Sequence, residues 1–392
     1  MIQLPPPLLT SEPGSFARRT FAERIPRMMD DIIAWNDYPP HIVQALGALK
    51  KEIDSGKISA LTENAKDREF WNAHAAEHIG KSWLDVPWYW AETYFYRRVL
   101  QAVEYFQPGA FYLHDPYTQP KHSELAPDKA PRALDMVLTS LPADETSAFN
   151  ILMHASLWGN RTDLSLLEVK RDTLPLEQER ANILIDETPR VWEHLRATRG
   201  GDVDFICDNA GTELFFDLAL ADFLMRAEIA KRVTFHIKPQ PFFVSDTMNQ
   251  DVMESLDVLG QSDKPLLRQL ARRLATAMSK GQFILSDHPF WVTGFFFRSM
   301  PDDLRAVLAR TALIVSKGDA NYRRLVGDCH WKPTTSFESI VDYFPAPVVA
   351  LRTLKAELIV GLRDGEAERF DAQDPAWRTN GKRGVVQFFN PR

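Results

Sequence analysis

Phe205-Ile206-Cys207-Asp208-Asn209-Ala210-Gly211-Thr212-Glu213-Leu214 is the stretch on which the reading of this chain turns. An apolar run ends in a carboxylate and a carboxamide, bends at Ala210 and Gly211, and passes into an apolar segment of helical character that reaches Ala230. A short β-branched or aromatic run followed by a helical one is the signature of a βαβ unit. Four further runs share this character: Val233–Lys238, Gln282–His288, Ala312–Gly318 and Pro347–Thr353. Helical candidates lie between them at Asn249–Gly260, Lys264–Ser279 and Asp302–Thr311. The alternation predicts an α/β fold with three α/β/α layers around a Rossmann-like, mostly parallel sheet.

Upstream the pattern differs. From Phe16 to Ser147 apolar residues recur at helical spacing, as in Phe21–Asn36 and Trp88–Phe106, so residues 1–147 are expected to form a helical N-terminal region and 148–392 the α/β catalytic domain. Tyr112–Leu134 carries prolines and scattered charges and reads as a connector wrapping the surface.

Composition excludes several classes. With 392 residues, 45% hydrophobic and 25% charged, the chain has ordinary globular proportions and the length for two domains or one with a large appendage. A formal charge of −7 argues against general nucleic-acid binding, which needs a basic face. Cys207 and Cys329 are too few for a disulfide framework or a Cys-based zinc site. No signal-peptide pattern and no bilayer-length apolar run is evident, so a cytoplasmic protein without a membrane partner is expected. Oligomeric state is not legible.

Chemistry is expected at the strand ends, where ligands bind in such sheets. Asp208 and Asn209 offer two oxygen donors beside a helix N-terminus, the donor type that hard divalent cations take. An Asx turn capping the helix explains the same pair. Asp246 follows the strand that holds His236 and Lys238, either as a helix N-cap or as a third metal ligand; His236 reads best as a satisfied structural histidine. The run from Ser316 through Lys317, Gly318 and Asp319 to Asn321, Tyr322, Arg323 and Arg324 joins a glycine to cations able to bind phosphate, or to solvated helix-end charges. Arg352 and Lys355, three apart, can point the same way. Joined in one crevice, these segments make a metal site beside a phosphate site. Walker, GxSxG and HExxH motifs are absent. The aromatic residues around Trp88–Arg98 read as core, with Glu92 and Arg97 able to pair internally.

Ser156–Ser165, Asp208–Met225, His236–Asp246, Lys317–Leu325, Arg352–Lys355 and Glu92–Arg98 together resemble the damage-control phosphatase family, formerly a domain of unknown function (DUF89), and Arg-Thr-Leu-Lys at 352–355 is similar to the RTxK element of its third subgroup. The resemblance implies a phosphatase dependent on Mn²⁺, Ni²⁺, Co²⁺ or Mg²⁺ that acts on small phosphorylated metabolites such as fructose 1-phosphate and fructose 6-phosphate. It implies Asp208, Asn209 and Asp246 as metal ligands and, with Lys355, as the catalytic set. It further implies Glu213, Asp319, Asn321, Tyr322, Arg323 and Lys355 as substrate-binding positions, with Asn160 and Asp163 as second-rank candidates. Ala320 departs from the leucine usual in the family. Two other readings stay open: an S-adenosylmethionine-dependent carboxyl methyltransferase, against which the single glycine of the first turn counts, and a non-catalytic module that binds a phosphometabolite.

Overall fold

The computed structural model describes residues 2–159 and 181–391. Among them, β1 (Ile183–Asp186), β2 (Gly201–Ile206), β3 (Ala230–Ile237), β4 (Phe283–Asp287), β5 (Leu313–Lys317), β6 (Val348–Thr353) and β7 (Gly384–Phe389) form one sheet in the order β1-β7-β6-β5-β2-β3-β4. Strands β2 to β6 run parallel, whereas β7 is antiparallel to β6 and parallel to β1. The five runs expected from the sequence are β2 to β6. β7 lay outside that expectation because an antiparallel neighbour needs no crossover helix and so carries no βαβ signature, and β1 is only four residues long.

Alternation along the strands sends side chains to two apolar layers. Val203, Phe205, Leu313, Val315, Val349 and Leu351 pack with the helices Glu145–Trp158, Thr212–Arg226 and Pro265–Ser279. Ile206, Ile314, Val348 and Ala350 belong to the opposite apolar layer, in which the helices Gly318–Val326 and Phe337–Val341 pack on the sheet and to which Ile25, Met29, Ile32 and Phe95 of the N-terminal helices also belong. Each of these Val, Leu, Ile, Phe or Met side chains contributes about 1.5–3 kcal/mol on full burial. The N-terminal helices thus share this apolar core with the α/β part of the chain, and the helix Glu145–Trp158 runs through positions 147 and 148.

The stretch Tyr112–Leu134 is not the surface connector expected. It contains the helix Thr118–Glu124 and most of the first turns of Ala130–Ser140, and its Lys121 is buried. Pro120 and Pro131 lie in the opening turns of these helices, where a missing N–H breaks no intrahelical bond. Among the described residues no helix is long and apolar enough to cross a membrane.

Strand order reverses at β2, with β3 and β4 on one side and β5 and β6 on the other. The crevice beyond the carboxyl ends of β2 and β5 is the place such sheets offer a ligand.

Candidate functional site

Backbone pairing brings the leading residues together. Thr247 N donates to Asp208 O at 2.7 Å, Ala210 N donates to Ser245 O at 2.7 Å, and Asn209 and Asp246 form an antiparallel bridge. The end of β2 is thus stitched to the loop after β3, and Asp208, Asn209 and Asp246 stand side by side. Lys238 Nζ reaches Asp246 Oδ2 at 3.1 Å and Cys207 O at 2.7 Å, while Lys121 Nζ donates to Asp246 O at 3.0 Å. Capping is done by other residues: Thr212 N donates to Glu124 Oε2 and Met248 N to Asp251 Oδ2, at 2.9 and 2.7 Å. Asp208, Asn209 and Asp246 are therefore not spent on helix ends.

A cavity of about 200 Å³ opens at this rim, lined by Asp208, Asn209, Asp246, Asp319, Arg323 and Lys355 among others. Asp319, Ala320 and Arg323 share a face of the helix Gly318–Val326 because positions i, i+1 and i+4 lie close around a helix. The same geometry corrects two expectations. Asn321, expected on the substrate, turns inward and donates from Nδ2 to the carbonyls of Cys207 and Lys317 at 3.2 and 2.9 Å. Tyr322 likewise points into the core, its hydroxyl donating to Gln387 Oε1 at 2.7 Å. Both hold the helix onto the sheet.

The Arg-Thr-Leu-Lys element divides its labour. Arg352 is fully buried over the Tyr322 ring; its Nε donates to Asp319 Oδ1 at 2.7 Å, and its two terminal nitrogens donate to Leu358 O and Ala356 O at 2.6 and 3.1 Å. That fork fastens the loop which presents Lys355 to the cavity, so the two cations do not point the same way. Burial lowers the Lys355 ammonium below its ordinary value, against the pull of Glu213, Asp208 and Asp319.

Arg323 lies 3.7 Å over the Trp88 ring and is held by Asp328 at 2.8 and 2.9 Å and by Glu92 at 2.6 Å. Glu92 therefore does not pair with Arg97, which binds Glu63 and Asp67 instead. Five positions apart, the two point to different sides of their helix.

Beneath the cavity Glu213 accepts from Asn209 Nδ2 at 2.9 Å and pairs with Lys317 at 3.2 Å. Lys317 is fully buried and also meets Asp217 and Ser156, so it supports the floor and offers no cation to a ligand. His236 is structural, its Nε2 3.0 Å from Asp204 Oδ2. Asn160 and Asp163 lie outside the described residues.

The donor set fits a hard divalent cation. It comprises two carboxylates and a carboxamide, with Asn209 Nδ2 donating to Asp208 Oδ2 at 2.5 Å and Asn209 Oδ1 accepting from Ser245 Oγ, and no three His, Cys, Asp or Glu side chains group as a cation site among the described residues. Burial, with Glu213 and Asp246 beside it, pushes the Asp208 carboxyl well above the ordinary range despite Lys238 and Lys355. Burial raises Asp246 too, against Lys238 and Lys121. Burial thus disfavours the ionised form of both carboxyls, a penalty that a bound cation would offset.

The ARMT1-like damage-control phosphatase domain matches residues 20–370. This chain belongs to that family. Among its relatives, damage-control phosphatase ARMT1 of Danio rerio is 34% identical over 99% of this chain and 98% of that one. The proteins of the same name from Bos taurus and Homo sapiens are 33% and 30% identical, covering 89% and 100% of this chain and 87% and 100% of theirs. A solved DUF89 family protein from Pyrococcus horikoshii aligns with a TM-score of 0.48 at 12% identity, covering 96% of this chain and 97% of that one.

In this damage-control phosphatase family member the sequence reading missed part of the cavity. Arg24, Phe16, Trp88 and Phe243 line it, and Lys121 and Glu124 brace its rim. Only Glu92 carried a usable signal, being a lone carboxylate in an aromatic helix, which must find a cation when buried. Among the described residues, clefts of about 780 and 790 Å³, much larger than this one, lie elsewhere: one beside Gly200, Ala230 and Gln282 at the opposite end of the strands, the other beside Phe106, Tyr112 and Phe295. Neither contains the strand-end carboxylates.

Proposed function

We propose that this protein is a divalent-metal-dependent phosphatase whose substrates are small phosphorylated metabolites, sugar monophosphates such as fructose 1-phosphate and fructose 6-phosphate foremost. Membership of the damage-control phosphatase family supplies the phosphatase class. The observation that supports the rest is the backbone bridge between Asn209 and Asp246, which sets these two residues and Asp208 along a cavity that Lys355 also lines. A volume of about 200 Å³ suits a small ester better than a nucleotide.

Asp208, Asn209 and Asp246 would hold the cation, Mn²⁺, Ni²⁺, Co²⁺ and Mg²⁺ all accepting such donors. When bound it supplies Lewis-acid stabilisation of charge on a phosphoryl oxygen. Lys355 brings positive charge to the transferring group, and Asp319 and Arg352 hold its loop in place. Arg323, already bonded to Asp328 and Glu92, orders the aromatic wall that limits water around the ester. Lys238 and Lys121 keep Asp246 in position.

The test is phosphate release from a panel of phosphorylated metabolites, with each divalent metal in turn and after chelation, for wild type and for Asp208→Ala, Asp246→Ala and Lys355→Ala. Loss of about a hundredfold or more in each variant is expected. Wild-type turnover in any two of them, or turnover untouched by chelation, contradicts the reading; transfer of a labelled methyl group without phosphate release would replace it.

A further inference from the structure

Three cations line the cavity, and their charges are not equally available. Arg323 is already answered by Asp328 and Glu92. Lys355 lies within the electrostatic reach of Glu213, Asp208 and Asp319. Arg24 is different: it is exposed at the cavity, and among the described residues its guanidinium takes part in no ion pair.

Its placement is built by the backbone. The α-helical turn Phe16–Arg19 gives way to a π-helical turn, Thr20–Arg24, in which Ile25 N bonds back to Thr20 O, and α-helix resumes at Ile25–Trp35. Such turns are single interruptions that recur at functional sites. The extra residue rotates the resumed helix by about 100° around its axis. Phe21 and Ile25 stay buried in the core while Arg24 stands free at the cavity. The start of this segment is tied to the Lys355 loop, since Phe16 N donates to Glu357 Oε1 at 2.8 Å. Arg24 is close enough for its charge to act on both Lys355 and Glu92.

We infer that Arg24 is a substrate-binding residue that pairs with the phosphoryl oxygens of the bound ester alongside Lys355, selecting phosphate dianions over uncharged or singly charged molecules of the same size. The inference rests on the phosphatase reading for the identity of its ligand. A planar guanidinium presents paired N–H donors that match two phosphoryl oxygens, which an ammonium cannot do. Because the Arg24 side chain is exposed, and makes no hydrogen bond or ion pair among the described residues, its replacement is expected to leave the fold intact.

Inorganic phosphate is the probe. Its binding to the full chain is measured by calorimetry with Mg²⁺ present for wild type, Arg24→Gln and Arg24→Lys, with Tm recorded for each. Arg24→Gln is expected to weaken phosphate about tenfold, the loss of one charged hydrogen-bonding group, with Arg24→Lys recovering part of it and Tm unchanged. For an ester turned over by wild type, KM rises by a similar factor while kcat stays within about threefold. Equal phosphate binding by wild type and Arg24→Gln, or none by wild type, overturns the inference. Phosphate binding that depends on Arg24, in a protein that releases phosphate from no ester, upholds it and sinks the hydrolase instead.

Discussion

Gly318 abuts the Asp208 carboxylate: a Cβ built on the glycine would stand 1.9 Å from Asp208 Oδ2 and 2.2 Å from Cγ. The backbone of Gly318 also has φ +80°, a conformation that disfavours any side chain. The end of β5 is therefore packed onto the end of β2 with no room between. Gly318→Ala must displace Asp208 or break the turn. We expect metal-supported phosphate release to fall at least about a hundredfold and stability to drop by about 1–2 kcal/mol from the left-handed backbone alone. Steady-state kinetics and urea unfolding read the two effects separately; a fully active Gly318→Ala protein would show that the Asp208 position is unimportant.

Arg352→Lys keeps the charge but loses the planar fork that holds Asp319, Ala356 O and Leu358 O together. The Lys355 loop then loses its anchor. An activity loss of about tenfold or more is expected, with the metal requirement retained, because a lysine cannot make these divergent bonds at once. Kinetics at saturating metal will reveal it, and near-native turnover would mean that the loop is held by other contacts.

Asp328 lies buried against Arg323, whereas Asp30 pairs with Lys50 in solvent. Asp328→Asn is expected to destabilise the protein by about 3 kcal/mol, since it leaves a buried guanidinium undercompensated. Asp30→Asn should cost less than about 1 kcal/mol. Similar urea midpoints for the two variants would be incompatible with the burial of Arg323.

Asp186 supplies a pH dependence. Burial by itself would raise its carboxyl, but hydrogen bonds with His154 and Thr188 outweigh burial and bring it down to about 2. A carboxyl lower in the folded than in the unfolded state stabilises the protein above its unfolded value, near 4, and that stabilisation disappears as pH falls towards 2. With solvent screening of this half-buried group, Asp186→Asn should cost about 1 kcal/mol at pH 7. The gap to wild type should narrow between about pH 4 and pH 2. Unfolding curves at a series of pH values test this, and a gap of constant size would exclude the ionised Asp186 as its source.

Strands β2 to β6 were legible because parallel strands covered on both faces leave continuous apolar runs, and each is followed by a crossover segment. Their ends marked Asp208, Asn209, Asp246, Asp319, Arg323 and Lys355, all of which line one cavity. The motif around Asp319 was legible only as a string. Asn321 and Tyr322 are as near to it in sequence as Arg323, yet a helix turns successive side chains by about 100°, so neighbours in a motif need not share a face.

Composition, strand–helix alternation and the strand-end oxygens are local properties, and the sequence by itself determined the α/β class and the acidic half of the candidate site. Tertiary structure alone decided the other half: which cations are already neutralised, that Glu92 meets Arg323 across 231 positions, and that a π-helical turn near the N-terminus sets Arg24 over the cavity. Charge compensation depends on distances of a few ångströms between elements far apart in the chain, and no periodicity within a single segment encodes those distances.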